Sequence, residues 1–289
     1  LEWSDLEGYR AAIHKRGIAI NIAPLVGHGT LRIASMGLQE NAATPEDLEL
    51  MGELLKLSFN QGAFGMSTGL TYVPSRYARF EELVYLCRVI KESGRTYTSH
   101  ARDYDIFGDD FFLGPLKEAF ALARETGVRV QFSHAAINNP SLWGRAQDWV
   151  DLFDSPEAKN LDVTFDVYPY NASSSALTQY LPEWVQAGGV EAMKERLSDS
   201  VTFKRAAEEL SLGWSAHKIK WMWDRVVIAR GNGLLGVENG DSIEVAAKNI
   251  PCASWPIDFP TSGRLLTMRK VRAIAAHIAT PPQRAVGVL

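Results

Sequence analysis

The chain has only two cysteines in 289 residues, Cys87 and Cys252. So few thiols, so far apart, exclude a stapled secreted scaffold and suit a reducing compartment. Nothing approaches the run of roughly 18 apolar residues that a spanning helix needs. The opening Leu1-Glu-Trp-Ser-Asp-Leu-Glu has no basic n-region and no apolar h-region, so no signal peptide is expected and the expected location is cytoplasmic. Leu1 stands where an initiator methionine would, which leaves room for sequence upstream. Charge of one sign is also missing: 30 basic against 34 acidic residues give a net charge of -4. That balance produces no broad positive field, and neither nucleic acid nor a membrane surface is an expected partner. There is no internal repeat, low-complexity tract or flexible linker.

What is present is an ordinary globular composition, 46% hydrophobic and 22% charged, in a chain long enough to bury a large core. Its rhythm is strand then helix, the pattern of a parallel sheet. Gly17 to Gly27 reads as a strand running into a loop that carries His28. Thr44-Pro-Glu-Asp47 supplies an N-cap, a first-turn proline and acids for the positive end of a helix that buries Leu48, Met51, Leu54 and Leu55. Strands are expected at Ala63–Ser67, Arg95–His100, Val128–His134 and Leu161–Tyr168, with helices at Phe80–Glu92, Pro115–Thr126 and Gly144–Phe153 between them. The count is five parallel strands. Cys87, among Leu83, Leu86 and Ile90, is expected to be a small buried hydrophobe. Beyond about residue 184 the rhythm is lost. Residues 185 to 220 read as helical and charged, Arg225–Arg230 as one more strand and Ser242–Lys248 as a short helix.

Two histidines organise the chemistry. His100 and His134 each end a strand, each follows a serine, and one βα unit separates them. In a parallel α/β barrel, side chains at the carboxyl ends of neighbouring strands converge on one mouth. Zinc takes nitrogen, sulfur and carboxylate donors, and a catalytic site usually draws three from the protein. A pair at one mouth therefore suggests a metal, against the reading of two hydrogen-bonded structural residues. His28, in a glycine-flanked turn, either reaches that mouth or stabilises the turn. The glycines of Gly62-Ala-Phe-Gly-Met-Ser-Thr-Gly69 follow no phosphate-binding spacing and suggest close backbone approach. Hydroxyls of Tyr168, Tyr170 and Ser173 to Ser175 could bind an anionic group, or the segment is a proline-stiffened loop with packed aromatics. His14 and His217 lie on charged helix-like stretches and His277 on a helix face.

Taken together, Val26-Gly-His28-Gly-Thr-Leu-Arg32, Gly62 through Pro74, Tyr97-Thr-Ser-His100-Ala-Arg102-Asp103, Phe132-Ser-His134 and Asp166-Val-Tyr168-Pro-Tyr170 resemble the N-acyl-D-amino-acid deacylases (D-aminoacylases) of the amidohydrolase superfamily. A weaker echo lies at Arg269 to Gly287, which resembles the helix after the last barrel strand of that family. The resemblance implies a partial or complete (β/α)8 TIM-type amidohydrolase barrel, lacking its first two strands and its last. Residues 1–184 would be its central βα units, and 185–289 a helical insertion with a C-terminal helical segment. It implies zinc held by His100 and His134, substrate-carboxylate binding by Tyr168 and Ser174, and hydrolysis of a small-molecule N-acyl amide. His28 and Arg102 are further expected substrate contacts.

The chain also departs from that family. The His-x-His pair of the first strand and the ligand cysteine of the second are absent, because residue 1 falls after both. The Gly-Ser-Asp segment that carries the catalytic aspartate is missing, and Asp258 is the only acid after residue 250. Ala136 stands where the family usually has the lysine that meets the substrate carboxylate; Arg102 or Arg145 is the expected replacement charge. These gaps leave a second reading open, a non-catalytic or truncated relative that serves as a binding or oligomerisation module. An incomplete gene model is a third. An open half-barrel exposes sheet edges, so self-association is expected.

Overall fold

The computed structural model describes residues 3–103, 105–213, 220, 222–230 and 236–249. Cys252, Asp258, His217, His277 and the Arg269–Gly287 segment lie outside the described residues. The chain forms two compact units that divide between Ala172 and Ser173. The loss of rhythm read from the sequence falls near 184.

The first unit opens with α1 (Leu6–Arg16), capped by Asp5, whose carboxylate accepts the Gly8 N–H at 2.8 Å. Then come β1 (Leu25–Gly27), α2 (His28–Met36), α3 (Pro45–Asn60), β2 (Gly65–Gly69), α4 (Phe80–Glu92), β3 (Thr96–His100), α5 (Gly114–Thr126), β4 (Arg129–Phe132), α6 (Ala146–Phe153) and β5 (Val163–Phe165). The start of α3 is a full capping box: the Asp47 N–H donates to Thr44 Oγ1 at 3.2 Å, and the Thr44 N–H donates to the Asp47 carboxylate at 2.9 Å. Gly127, left-handed at φ 66°, ends α5 as its position in sequence suggests.

The five strands are parallel and lie in the order β1-β2-β3-β4-β5. Each strand is therefore flanked by its sequence neighbours, the winding of a barrel segment rather than of a doubly wound sheet. Register sorts the two faces. Val26, Met66, Tyr97, Val130 and Val163 pair in one row across the sheet. Its central members join the core made with helix residues such as Leu55, Leu86, Ile90 and Leu116. The alternate row, Ser67, Thr98, Gln131 and Thr164, is polar and points away from that core. Gly65 is required by the ladder: a Cβ there would lie 2.1 Å from the Thr96 carbonyl oxygen.

Two expectations for the start of this unit need correction. The Gly17–Gly27 strand shrinks to Leu25–Gly27, because only those residues pair with β2, and Ile18, Ile20 and Ile22 are exposed. His28 begins a helix rather than sitting in a loop. His28, Leu31 and Arg32 occupy positions i, i+3 and i+4 and are the buried face of α2; the flanking glycines masked that helical spacing.

The second unit holds α7 (Glu183–Gln186), α8 (Gly189–Ser198), α9 (Ser200–Ser211) and α10 (Ile243–Asn249) around Val185, Met193, Leu197, Phe203 and Leu210. The strand expected at Arg225–Arg230 reduces to one antiparallel bridge, Val227 to Ser242. Around that bridge the Ile228 N–H donates to the Asp241 carbonyl at 2.8 Å, and the Gly240 and Ile243 N–H groups donate to the Ile228 and Val226 carbonyls at 2.9 Å; the apolar run Val226-Val-Ile228 is too short to extend this into a ladder. No described helix is long and apolar enough to cross a membrane.

Candidate metal centre

The carboxyl ends of β3 and β4 bring His100 and His134 together. His100 closes β3 opposite Gly69 of β2, and the ladder runs on past both strands: the Leu70 N–H donates to the His100 carbonyl at 2.9 Å, and the Ser133 N–H to the Ser99 carbonyl at 2.9 Å. His100 Nδ1 lies 2.8 Å from His134 Nε2. Nitrogens on one tetrahedral zinc, each about 2.0–2.1 Å from the ion, would stand roughly 3.3 Å apart. A small ring rotation covers the difference, so the pair fits two positions of a zinc donor set. Among the described residues no third histidine, cysteine or carboxylate completes the set.

Each imidazole has its own positioning contacts. His134 is the only described non-glycine residue with positive φ, at 41°. Asp166, just beyond β5, stabilises that conformation: its carboxylate accepts the His134 backbone N–H at 2.6 Å and the Gln131 side-chain amide at 2.8 Å, while its carbonyl accepts the Ala135 N–H at 2.7 Å. The His100 Nε2 lies 2.8 Å from Thr71 Oγ1, and the Tyr72 ring packs on the same imidazole at a centroid distance of 4.9 Å. Burial, and then the neighbouring His134, push the His100 pKa down to about 4 against the opposing charge of Asp103. His100 is thus neutral near pH 7, the form that ligates metal.

Replacing Asp166 by Ala leaves the His134 N–H without its acceptor. We expect a loss of about 1 kcal/mol in urea unfolding, and a smaller one for Asp166→Asn, which keeps one of the two acceptor oxygens. An Asp166→Ala protein as stable as the wild type would show that the carboxylate does not hold this turn.

Other expected site residues fare differently. Tyr168 stands beside His134 with a ring-centroid distance of 6.3 Å. Ser174 is exposed and belongs to the second unit. His28 is corrected to a structural role: it is wholly buried, its Nε2 2.8 Å from the Glu82 carboxylate and its Nδ1 3.0 Å from Ser75 Oγ, so both ring nitrogens are engaged. Glu82 also accepts from Arg32 at 2.5 Å. Burial opposes the Glu82 charge, but His28 and Arg32 together hold its carboxyl below the usual range.

Arg102 is likewise corrected, because its guanidinium is committed inside the protein. Its Nε donates to both Glu118 oxygens at 3.0 Å, its Nη1 to the Arg76 carbonyl at 3.1 Å and its Nη2 to the Ala78 carbonyl at 2.6 Å. Arg102 therefore does not replace the charge that Ala136 lacks. Arg145 pairs with Asp148 and lies 4.5 Å over the Phe112 ring. Cys87 is free and fully buried, and burial raises its thiol pKa, so it is an inert hydrophobe as expected. Sequence reasoning missed Thr71 and Asp166; each lies one strand away from the histidine it touches, and only the register reveals the pairing.

A parallel sheet wound in chain order, with two imidazoles converging at the ends of adjacent strands, is the architecture of part of a parallel α/β barrel with a metal-type site at its mouth. Comparison with known proteins narrows the likeness to the D-aminoacylases. The chain is 35% identical over 171 residues to D-aminoacylase of Alcaligenes xylosoxydans xylosoxydans, covering 59% of this chain and 34% of that protein. It is also 35% identical over 177 residues to N-acyl-D-glutamate deacylase of the same organism, 61% of this chain and 35% of that one. Among solved structures, N-acyl-D-glutamate deacylase from Bordetella bronchiseptica, complexed with zinc and a phosphonate mimic of the tetrahedral intermediate, matches with a TM-score of 0.55 at 35% identity, over 60% of this chain and 36% of that one. A D-aminoacylase structure described as defining a novel subset of amidohydrolases matches at 33% identity with the same TM-score, over 60% of this chain and 35% of that one. The chain thus spans about a third of the length of the curated relatives it matches. No family model matches it.

Proposed function

We propose that this chain carries part of a zinc-dependent amidohydrolase site that cleaves the amide bond of N-acyl amino acids, of D configuration by analogy with its relatives, or of related amides. The observation that carries this reading is the approach of His100 Nδ1 to His134 Nε2 at the mouth of a parallel sheet, in a chain resembling deacylases. Zinc bound there would polarise the scissile carbonyl and lower the pKa of water. His100 and His134 supply two nitrogens for it. Tyr168 offers a phenol beside His134 for the substrate, and Ser174 a hydroxyl for its carboxylate. The substrate is a small molecule, the setting cytoplasmic, and neither nucleic acid nor membrane is a partner. The first unit, through Ala172, supplies the barrel units, and the described helices between Glu183 and Asn249 belong to the second.

A second reading is a non-catalytic relative that binds or self-associates. Ala136, the lack of a third ligand among the described residues, and exposed Leu25 and Phe165 on the two outer strands favour it.

Elemental analysis of zinc per purified chain, paired with hydrolysis of N-acyl-D- and N-acyl-L-amino acids, separates the two. Near-stoichiometric zinc with turnover supports the hydrolase; neither would leave the second reading. In an active preparation Tyr168→Phe should raise KM roughly fivefold, about the worth of one hydrogen bond, with unchanged thermal unfolding. An unchanged KM would remove Tyr168 from the site.

A further inference from the structure

We propose that Thr71 is a positioning residue for His100: its hydroxyl oxygen accepts the His100 Nε2–H and so turns Nδ1 toward His134. This rests on the metal reading above. A metal shared by His100 Nδ1 and His134 Nε2 needs a lone pair on each of those atoms, which leaves the only proton of a neutral His100 ring on Nε2. That N–H then needs an acceptor, and Thr71 Oγ1 stands 2.8 Å from it. Second partners of this kind fix the tautomer and ring orientation of ligating histidines.

The loop that presents Thr71 is built to hold it still. Thr71 follows β2 directly, where Gly69 pairs with His100 in the ladder and the Leu70 N–H is bonded to the His100 carbonyl. The Tyr72 N–H donates to the Gly69 carbonyl at 2.9 Å, and the Arg76 N–H to the Tyr72 carbonyl at 2.8 Å. Arg102, buried and paired with Glu118, grips the far side of this loop through the Arg76 and Ala78 carbonyls. Arg76 in turn pairs with Asp103 at 3.1 Å, three residues after His100. The buried Arg102 that sequence placed on the substrate thus anchors the loop bearing Thr71.

The test compares Thr71→Val, Thr71→Ala and Thr71→Ser with the wild type. Nitrogen-15 NMR of the metal-free protein should show His100 as the Nε2–H tautomer in the wild type and Thr71→Ser, and a shifted tautomer population in the other two. Zinc affinity, read by competition with a chromophoric chelator, should fall roughly 10–100-fold in Thr71→Val and recover in Thr71→Ser. Thermal unfolding of each variant identifies any that fails to fold, and the paired Val and Ala changes keep one readable. A wild-type tautomer and wild-type affinity in a folded Thr71→Val or Thr71→Ala protein would overturn the assignment. If the wild type itself takes up no zinc, the metal reading fails, and the tautomer comparison still decides the role of Thr71.

Discussion

Zinc bound per chain should fall to less than about a tenth when either His100 or His134 is replaced by Ala, because each supplies one of the few donors such an ion has. His14→Ala is the matched control: it removes an imidazole that is exposed on α1, and zinc should stay at the wild-type level. The two ligand variants should lose metal to a similar degree, since their nitrogens stand 2.8 Å apart and would share one ion. Stability in the absence of metal should change little for His100→Ala, whose ring is held by one hydroxyl contact and by the neighbouring rings. Inductively coupled plasma analysis after dialysis reads the result. Equal zinc in the His100, His134 and His14 variants would refute the shared site.

Glu82→Ala should destabilise the protein by about 3–5 kcal/mol, the usual consequence of removing one partner from a buried charge network. Glu82 bridges His28 and Arg32, both wholly buried, and among the described residues no other carboxylate is bonded to either ring or guanidinium. Glu82→Gln, which keeps an acceptor oxygen, should cost less. The pH dependence has a definite sign. Because the folded carboxyl titrates below its ordinary value of 4.5, its contribution is present above that value and is lost as pH falls through the lower folded one. Urea unfolding at pH 7 and in mild acid checks both points. A loss under about 1 kcal/mol at pH 7 would mean that the α2–α4 contact does not depend on this network.

Much of the fold was readable because barrel strands and helices announce themselves locally. The Phe80–Glu92 helix and the strand ending at His100 were placed to within a residue, since helical spacing and a closing Ser93-Gly94 mark the first and β-branched alternation the second. The parallel five-strand count followed from the alternation of elements. The histidine pair was legible for the same reason: both residues end strands one βα unit apart. Long-range partners were not legible. His28 looked like a mouth residue until Glu82, 54 positions away, was seen to occupy its Nε2. Arg102 looked like a free charge until Glu118 and two loop carbonyls claimed it. Thr71 and Asp166 lay inside the motifs that carry the resemblance, but neither had a role assigned, because a hydroxyl or carboxylate near a strand end has many possible roles until the register is known.

The strand order has a consequence for modularity. Since every strand pairs only with its neighbours in the chain, the sheet behaves as a nearest-neighbour stack, in which each ladder draws its stability from the two units that form it. β3 already has both of its partners, β2 and β4, and β4 has β3 and β5. Whatever pairs along the outer edge of β1 or of β5 adds a new interface without rewriting those ladders, so the histidine pair sits in the interior of the stack and is insulated from how the sheet is completed.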